Sequence, residues 1–146
     1  MHDLPHLYSA TASAQAEGDV RVEAKGLPAL ATAAPPQFDG PGDRWSPEML
    51  LVAAVADCVV LTFRAIARAS KLAWNELSCE VEGTLDRVDR LMQFTHFTVR
   101  ASLTVPPGTS VERADKLLRK AEETCLITRS LKGEVTLDAH VAVSSA

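Results

Sequence analysis

The chain has 146 residues, 47% of them apolar and only 5% aromatic, with a formal charge of −4 from 15 basic and 19 acidic side chains. That length fits one domain, 1–146, whose core must be built mainly from Ala, Val and Leu. The acidic balance and the scattered Lys and Arg exclude the clustered basic face that a nucleic-acid partner needs.

Met1-His2-Asp3-Leu4-Pro5-His6 lacks the basic start and following apolar stretch of a secretory leader, so a cytoplasmic chain is expected. In that compartment Cys58, Cys79 and Cys125 do not make a structural disulfide framework, whereas a transient catalytic disulfide stays open. Residues 7–16 alternate Tyr8, Ala10, Ala12 and Ala14 with Ser9, Thr11, Ser13 and Gln15, a period of two that predicts a strand. Glu17-Gly18-Asp19 reads as a turn, and Val20, Val22 and Ala24 continue into a second strand. Residues 26–44 are rich in Pro, Gly and Ala; they read either as a loop over a site or as a connector.

Ser46-Pro47-Glu48 is a helix start: Ser caps free amides, Pro suits the first helical position, and Glu favours the positive helix end. The helix is expected to run to about Ser70. Met49 to Ala56 is apolar all round and predicts full burial, while Asp57, Arg64, Arg68 and Lys71 give the second half a polar face. Asp57 and Arg64 make a membrane span costly, so a core helix is the better reading. Leu77, Cys79, Val81 and Leu85, then Phe97, Val99, Ala101, Leu103 and Val105, alternate with polar residues around a turn near Val88-Asp89-Arg90, predicting a hairpin. Thr109 to Glu112 fits a capping box. The helix that follows aligns Val111, Ala114, Leu118, Ala121 and Cys125 on one stripe, which aims Cys125 at the core. Val135 to Val143 alternate as a last strand.

Pattern alone leaves Cys58 between a small core hydrophobe and a reactive thiol, because burial raises a thiol pKa and a reactive thiol needs cationic help and access. Cys79, on the apolar face of a strand, fits packing. His2, His6, His96 and His140 show no ligand spacing with the cysteines, so no metal site and no bound cofactor are expected.

Ser46-Pro47-Glu48-Met49-Leu50-Leu51 with Cys58 ten residues after Glu48, and Cys125-Leu126-Ile127-Thr128-Arg129-Ser130-Leu131 further on, resemble the two signature segments of the OsmC/Ohr family of thiol-dependent peroxidases. The order of strands and helices matches over nearly the whole chain. The resemblance implies an α+β fold of antiparallel hairpins around a long central helix, in an intertwined homodimer. It also implies roles. Cys58 would attack an organic hydroperoxide and become a sulfenic acid, and Cys125 would resolve it as a disulfide. An external dithiol of lipoyl type, or a small thiol, would then reduce the pair. Glu48 matches a family carboxylate that positions a catalytic arginine; without the resemblance it reads as a helix-dipole residue. Glu48 and Cys58 lie roughly 15 Å apart along one helix axis at about 1.5 Å per residue. A shared site therefore needs Glu48 from a second copy of the chain.

The departures from the family pattern are specific. The first hairpin turn, Ala14-Gln15-Ala16-Glu17-Gly18-Asp19, lacks the family's arginine. Arg21, Arg44 and Arg129 are the candidates to replace it, with Arg44, four residues before Glu48, the first choice against the alternative of a solvated loop arginine. Leu126 stands for the usual proline and Arg129 for the usual asparagine, which points to the divergent OsmC-like branch. The rival reading is a non-catalytic protein of the same fold that binds a small apolar ligand, its thiols serving as packing.

Overall fold

The computed structural model describes residues 1–145 and divides into two compact units, Met1–Leu50 and the chain from Leu51 onward. The fold is α+β, with two three-stranded sheets and one long helix.

In the first unit, strands β1 (Thr11–Ser13), β2 (Val20–Glu23) and β3 (Leu30–Thr32) form an antiparallel sheet in that order. The predicted strand over residues 7–16 shrinks to β1, because only Thr11, Ala12 and Ser13 find partners on β2. Gly18, at φ 96°, supplies the left-handed residue of the turn between them. The segment read as a loop or connector holds β3 and a 3-10 turn over Pro36–Phe38. It is tied back by a bridge from Thr32 to Trp45 and by the Ala33 amide donating to the Trp45 carbonyl at 3.0 Å.

Helix α1 (Pro47–Ala69) begins where Ser46-Pro47-Glu48 predicts. The buried Ser46 hydroxyl accepts from the Met49 amide at 3.1 Å, and the Ser46 carbonyl accepts from Leu50 at 2.9 Å. Its C-terminus closes as a Schellman motif. Lys71 turns left-handed at φ 55°, its amide reaches the Arg68 carbonyl, and the amide of the buried Leu72 reaches Ala67.

The second unit is a sheet in the order β4 (Glu76–Val88), β5 (Leu91–Val105), β6 (Glu134–Val143), with helices α2 (Val111–Glu123) and α3 (Leu126–Arg129) between β5 and β6. The β4–β5 hairpin turns at Asp89-Arg90, both at positive φ, the signature of a two-residue type I′ turn. β6 runs parallel to β5, which places it beside the central strand after the helical crossover. Register aligns rows across the core face: Cys79, Ala101 and Ala139; Val81, Val99 and Leu137; Gly83, Phe97 and Val135. Gly83 matters there, since a Cβ would meet the Phe94 ring at 2.9 Å and Val52 at 3.0 Å.

Against this face α1 lays Val55, Val59, Phe63 and Ala67, each 0% exposed and spaced by four. Phe63 stands edge-on to Trp74 with ring centroids 5.3 Å apart. Full burial of Met49 to Ala56 does not hold. Of that stretch only Val55 is fully buried, and Met49 is 54% exposed, because the helix gives its core a single stripe and not its whole girth. By length and mean hydropathy of 2.1, α1 is also long and apolar enough to cross a membrane, yet this stripe is filled by protein. In α2 the expected stripe is present, with Ala114, Leu118 and Ala121 buried. Its cap is Ser110 instead of Thr109: the Ser110 hydroxyl takes the Arg113 amide at 3.1 Å, while the Thr109 amide closes the preceding turn on Pro106.

Candidate active site

Two elements of the second unit converge on a pair of free thiols. Cys58 follows from the α1 register: it lies beside Val55 and Val59 at the margin of the core stripe, half-buried, and keeps access to solvent. Cys125 was expected near the end of the second amphipathic helix. That helix stops at Glu123, and Cys125 becomes the residue from which α3 starts, extended at ψ 114° and 0% exposed. Its carbonyl accepts from the Arg129 amide at 3.1 Å and from the Thr128 hydroxyl at 3.0 Å, which fixes the start of the short helix.

This arrangement aims donors at the Cys58 sulfur. Burial pushes that thiol up, but the Cys125 S–H, the Ile127 amide, the Thr62 hydroxyl and the Leu126 amide all pull it down, and the net lies below the ordinary thiol value of 9.0. Thr62 Oγ1 stands 3.8 Å from Cys58 Sγ, one helical turn along α1. Cys125 goes the other way: burial first, then its position as donor to Cys58 and the Cys58 charge, raise it despite hydrogen bonds from Thr128. The pair is therefore asymmetric. Cys58 is the exposed member with a stabilised thiolate, and Cys125 is the buried, protonated member in contact with it, a division that suits one sulfur to attack and the other to resolve.

No cation is among the groups that lower Cys58; hydrogen-bond donors do so alone. None of the arginines singled out in the sequence is among the groups that shift Cys58. Arg44 binds Asp19 at 3.0 Å and Asp43 at 3.5 Å, and these carboxylates raise its guanidinium further. Arg21 binds Glu23 at 2.9 Å, and Arg129 ends α3 on an exposed position. Glu48 Oε1 is buried without a hydrogen-bond partner among the described residues, so Arg44 is not its partner within this chain. Among the described residues no cluster of His, Cys, Asp and Glu is arranged to hold a metal.

The donors Leu126, Ile127 and Thr62 escaped the sequence reading. Thr62 carried a usable signal, its i,i+4 spacing from Cys58, whereas backbone amides carry none until α3 is docked.

The balance of forces on Cys58 gives a measurable sign. Its alkylation by iodoacetamide should rise with pH through a midpoint below 9.0. Cys125→Ala removes the largest of the lowering groups, so the midpoint should move up and the rate at neutral pH fall; an unchanged midpoint would show that Cys125 contributes nothing to thiolate stability.

A family model described as OsmC-like protein matches residues 40–140. An uncharacterised Bacillus subtilis protein, YmaD, is 31% identical over 112 residues, covering 75% of each chain. Peroxiredoxin OsmC of Escherichia coli is 27% identical over 93 residues, covering 64% of each. Among solved structures, an OsmC-like protein of unknown function from Vibrio cholerae superposes with a TM-score of 0.83 at 21% identity, over 92% of this chain and 99% of that one. An organic hydroperoxide resistance protein OsmC from Legionella pneumophila does so at 0.73 and 26% identity, over 95% and 100%. With both signature segments inside the matched region and the thiols they carry in contact, the chain belongs to the OsmC-like protein family.

Proposed function

We propose that the chain is a thiol-dependent peroxidase for organic hydroperoxides. The observation that carries this reading is the placement of Cys58 and Cys125 on one core cluster, Cys125 fully buried and Cys58 half-buried with Thr62 Oγ1 3.8 Å from its sulfur. The peroxidase-type names of the Escherichia coli and Legionella relatives support it.

In this reading the Cys58 thiolate attacks the terminal peroxide oxygen. The O–O bond breaks, Cys58 becomes a sulfenic acid, and the alkoxide leaves and takes a proton to become an alcohol. Cys125 then attacks the Cys58 sulfur; its thiol proton leaves with the hydroxyl as water, and a Cys58–Cys125 disulfide remains. A dithiol of lipoyl type, or two small thiols, reduces that disulfide by exchange, so no bound cofactor is needed. The working unit is a homodimer in the cytoplasm. The apolar α1 residues that the core stripe leaves uncovered, including Met49 and Leu61 at 54% and 49% exposed, support a second copy packing on this helix. The partner copy would bring its Glu48 toward Cys58, and the unpartnered Glu48 Oε1 would take up an arginine there, Arg44 if it leaves Asp19.

A sub-stoichiometric dose of cumene hydroperoxide followed by mass spectrometry tests the reading. The expected result is rapid loss of two hydrogens, localised to a linked peptide pair containing Cys58 and Cys125. Slow oxidation that starts at exposed methionines would instead favour a binding protein with inert thiols.

A further inference from the structure

Cys79 is the thiol that the peroxidase cycle leaves unused, and the fold does not set it apart. Strand β4 points it into the core face, in the row it shares with Ala101 and Ala139. Those two small neighbours leave the sulfur the bulkiest group in the row. It packs on the same cluster of Val55, Val59, Phe97, Val99 and Cys125 that Cys58 packs on from α1. Three free thiols from three different elements thus belong to one core cluster, Cys125 inside it and Cys58 and Cys79 packed against it.

Resting on the peroxidase reading, we propose that Cys79 is the third member of a thiol relay, taking Cys125 over from Cys58 after the first disulfide has formed. The Cys79 sulfur, as thiolate, attacks the Cys125 sulfur. The Cys58–Cys125 bond breaks, a Cys79–Cys125 bond forms, Cys58 leaves as a thiolate, and the proton of Cys79 goes to solvent. The exchange conserves one disulfide, so it needs no outside oxidant or reductant.

The environments of the three sulfurs give the exchange its direction. In thiol–disulfide exchange the sulfur with the lower pKa is the better leaving group. Cys58, stabilised by four donors, is that sulfur. Burial, then the charge of Cys125, raise Cys79 to about 11. Burial is the larger cause and holds Cys79 protonated, which makes it the slower of the two thiols to attack. The order of events follows: Cys125 resolves first, and Cys79 acts only afterwards. The relay moves the oxidised pair off the half-exposed α1 position and returns a Cys58 thiolate ready for a second hydroperoxide before any reductant arrives.

The full-length reduced protein tests this without reductant, using cumene hydroperoxide, an acid quench, alkylation of free thiols and peptic mapping at successive times. One equivalent should first give the Cys58–Cys125 linked peptides and then the Cys79–Cys125 pair, with Cys58 again open to alkylation. A second equivalent should be consumed and leave Cys58 as a sulfenic acid that dimedone traps, giving two equivalents per chain, against one for Cys79→Ala. A Cys58–Cys125 bond that persists, with one equivalent consumed by both proteins, overturns the relay and leaves the peroxidase reading intact. No hydroperoxide consumption and no Cys58–Cys125 bond overturns both. Should Cys79→Ala fail to fold, the order of linked peptides in the wild-type protein alone decides.

Discussion

Replacing Cys58 with serine is expected to abolish organic hydroperoxide consumption, leaving only the rate of the uncatalysed reaction. The donors around position 58 are supplied by Cys125, Thr62 and the Leu126 and Ile127 amides, all of which survive the substitution. What disappears is the atom they act on. A serine hydroxyl is a weak nucleophile at its free pKa and needs an adjacent base. None of the groups that shift Cys58 is a base; all are hydrogen-bond donors. The change is nearly isosteric at a half-buried position, so the melting temperature should stay close to that of the wild type. Stopped-flow consumption of cumene hydroperoxide, read beside a thermal melt, checks both halves. A Cys58→Ser protein that keeps its fold and its full rate would show that the chemistry lies elsewhere.

The second large effect concerns stability. Phe63→Ala should cost about 3–5 kcal/mol, the range for truncating a buried phenylalanine. Phe63 is 0% exposed, packs among Ala67, Leu103, Leu118 and Ala121, and stands edge-on to Trp74, so its removal leaves a cavity that α1, β5 and α2 all line. For a chain of this size the loss corresponds to a fall in melting temperature on the order of 10 °C. Against a total stability of typically about 5–15 kcal/mol, that is a large share. Leu91→Ala, at a hairpin position 70% exposed, should stay within about 0.5 kcal/mol. Urea titrations of the two variants give the comparison; similar midpoints for both would mean that Phe63 does not hold the helix to the sheet.

The parts legible in the sequence are those that local chemistry determines. Ser46-Pro47-Glu48 starts α1 because one hydroxyl, one fixed φ and one carboxylate each satisfy a helix N-terminus by themselves. The alternation from Leu77 to Val105 marks the hairpin because a half-buried sheet imposes a period of two. The helical spacing of Ala114, Leu118 and Ala121 marks the buried face of α2, and Cys125, just beyond its end, is buried as well. Strand β3 was hidden because Leu30-Ala31-Thr32 is too short to show a period and owes its extension to pairing with β2. The engagement of Arg44 by Asp19, 25 residues away, is equally a product of the folded first unit. So is the neighbourhood of Cys79, which depends on register: one residue of slip between β4 and β5 would turn it to the other face of the sheet. The sequence pairing of Cys58 with Cys125 was reached through the resemblance, whereas the amides that stabilise Cys58 become visible only once α3 is in place.

The parallel placement of β6 beside β5 has a consequence during synthesis. A parallel pair cannot close as a hairpin, and such non-local pairing forms late and slowly. As the chain leaves the ribosome, Cys58 and the β4–β5 ribbon carrying Cys79 emerge well before Cys125 and β6. Until the segment after α2 has docked, Cys125 and the α3 amides are not gathered around Cys58, and its thiol lacks the hydrogen bonds that lower it. The lowered pKa of Cys58 is thus a property of the completed fold, acquired only after most of the chain has been made.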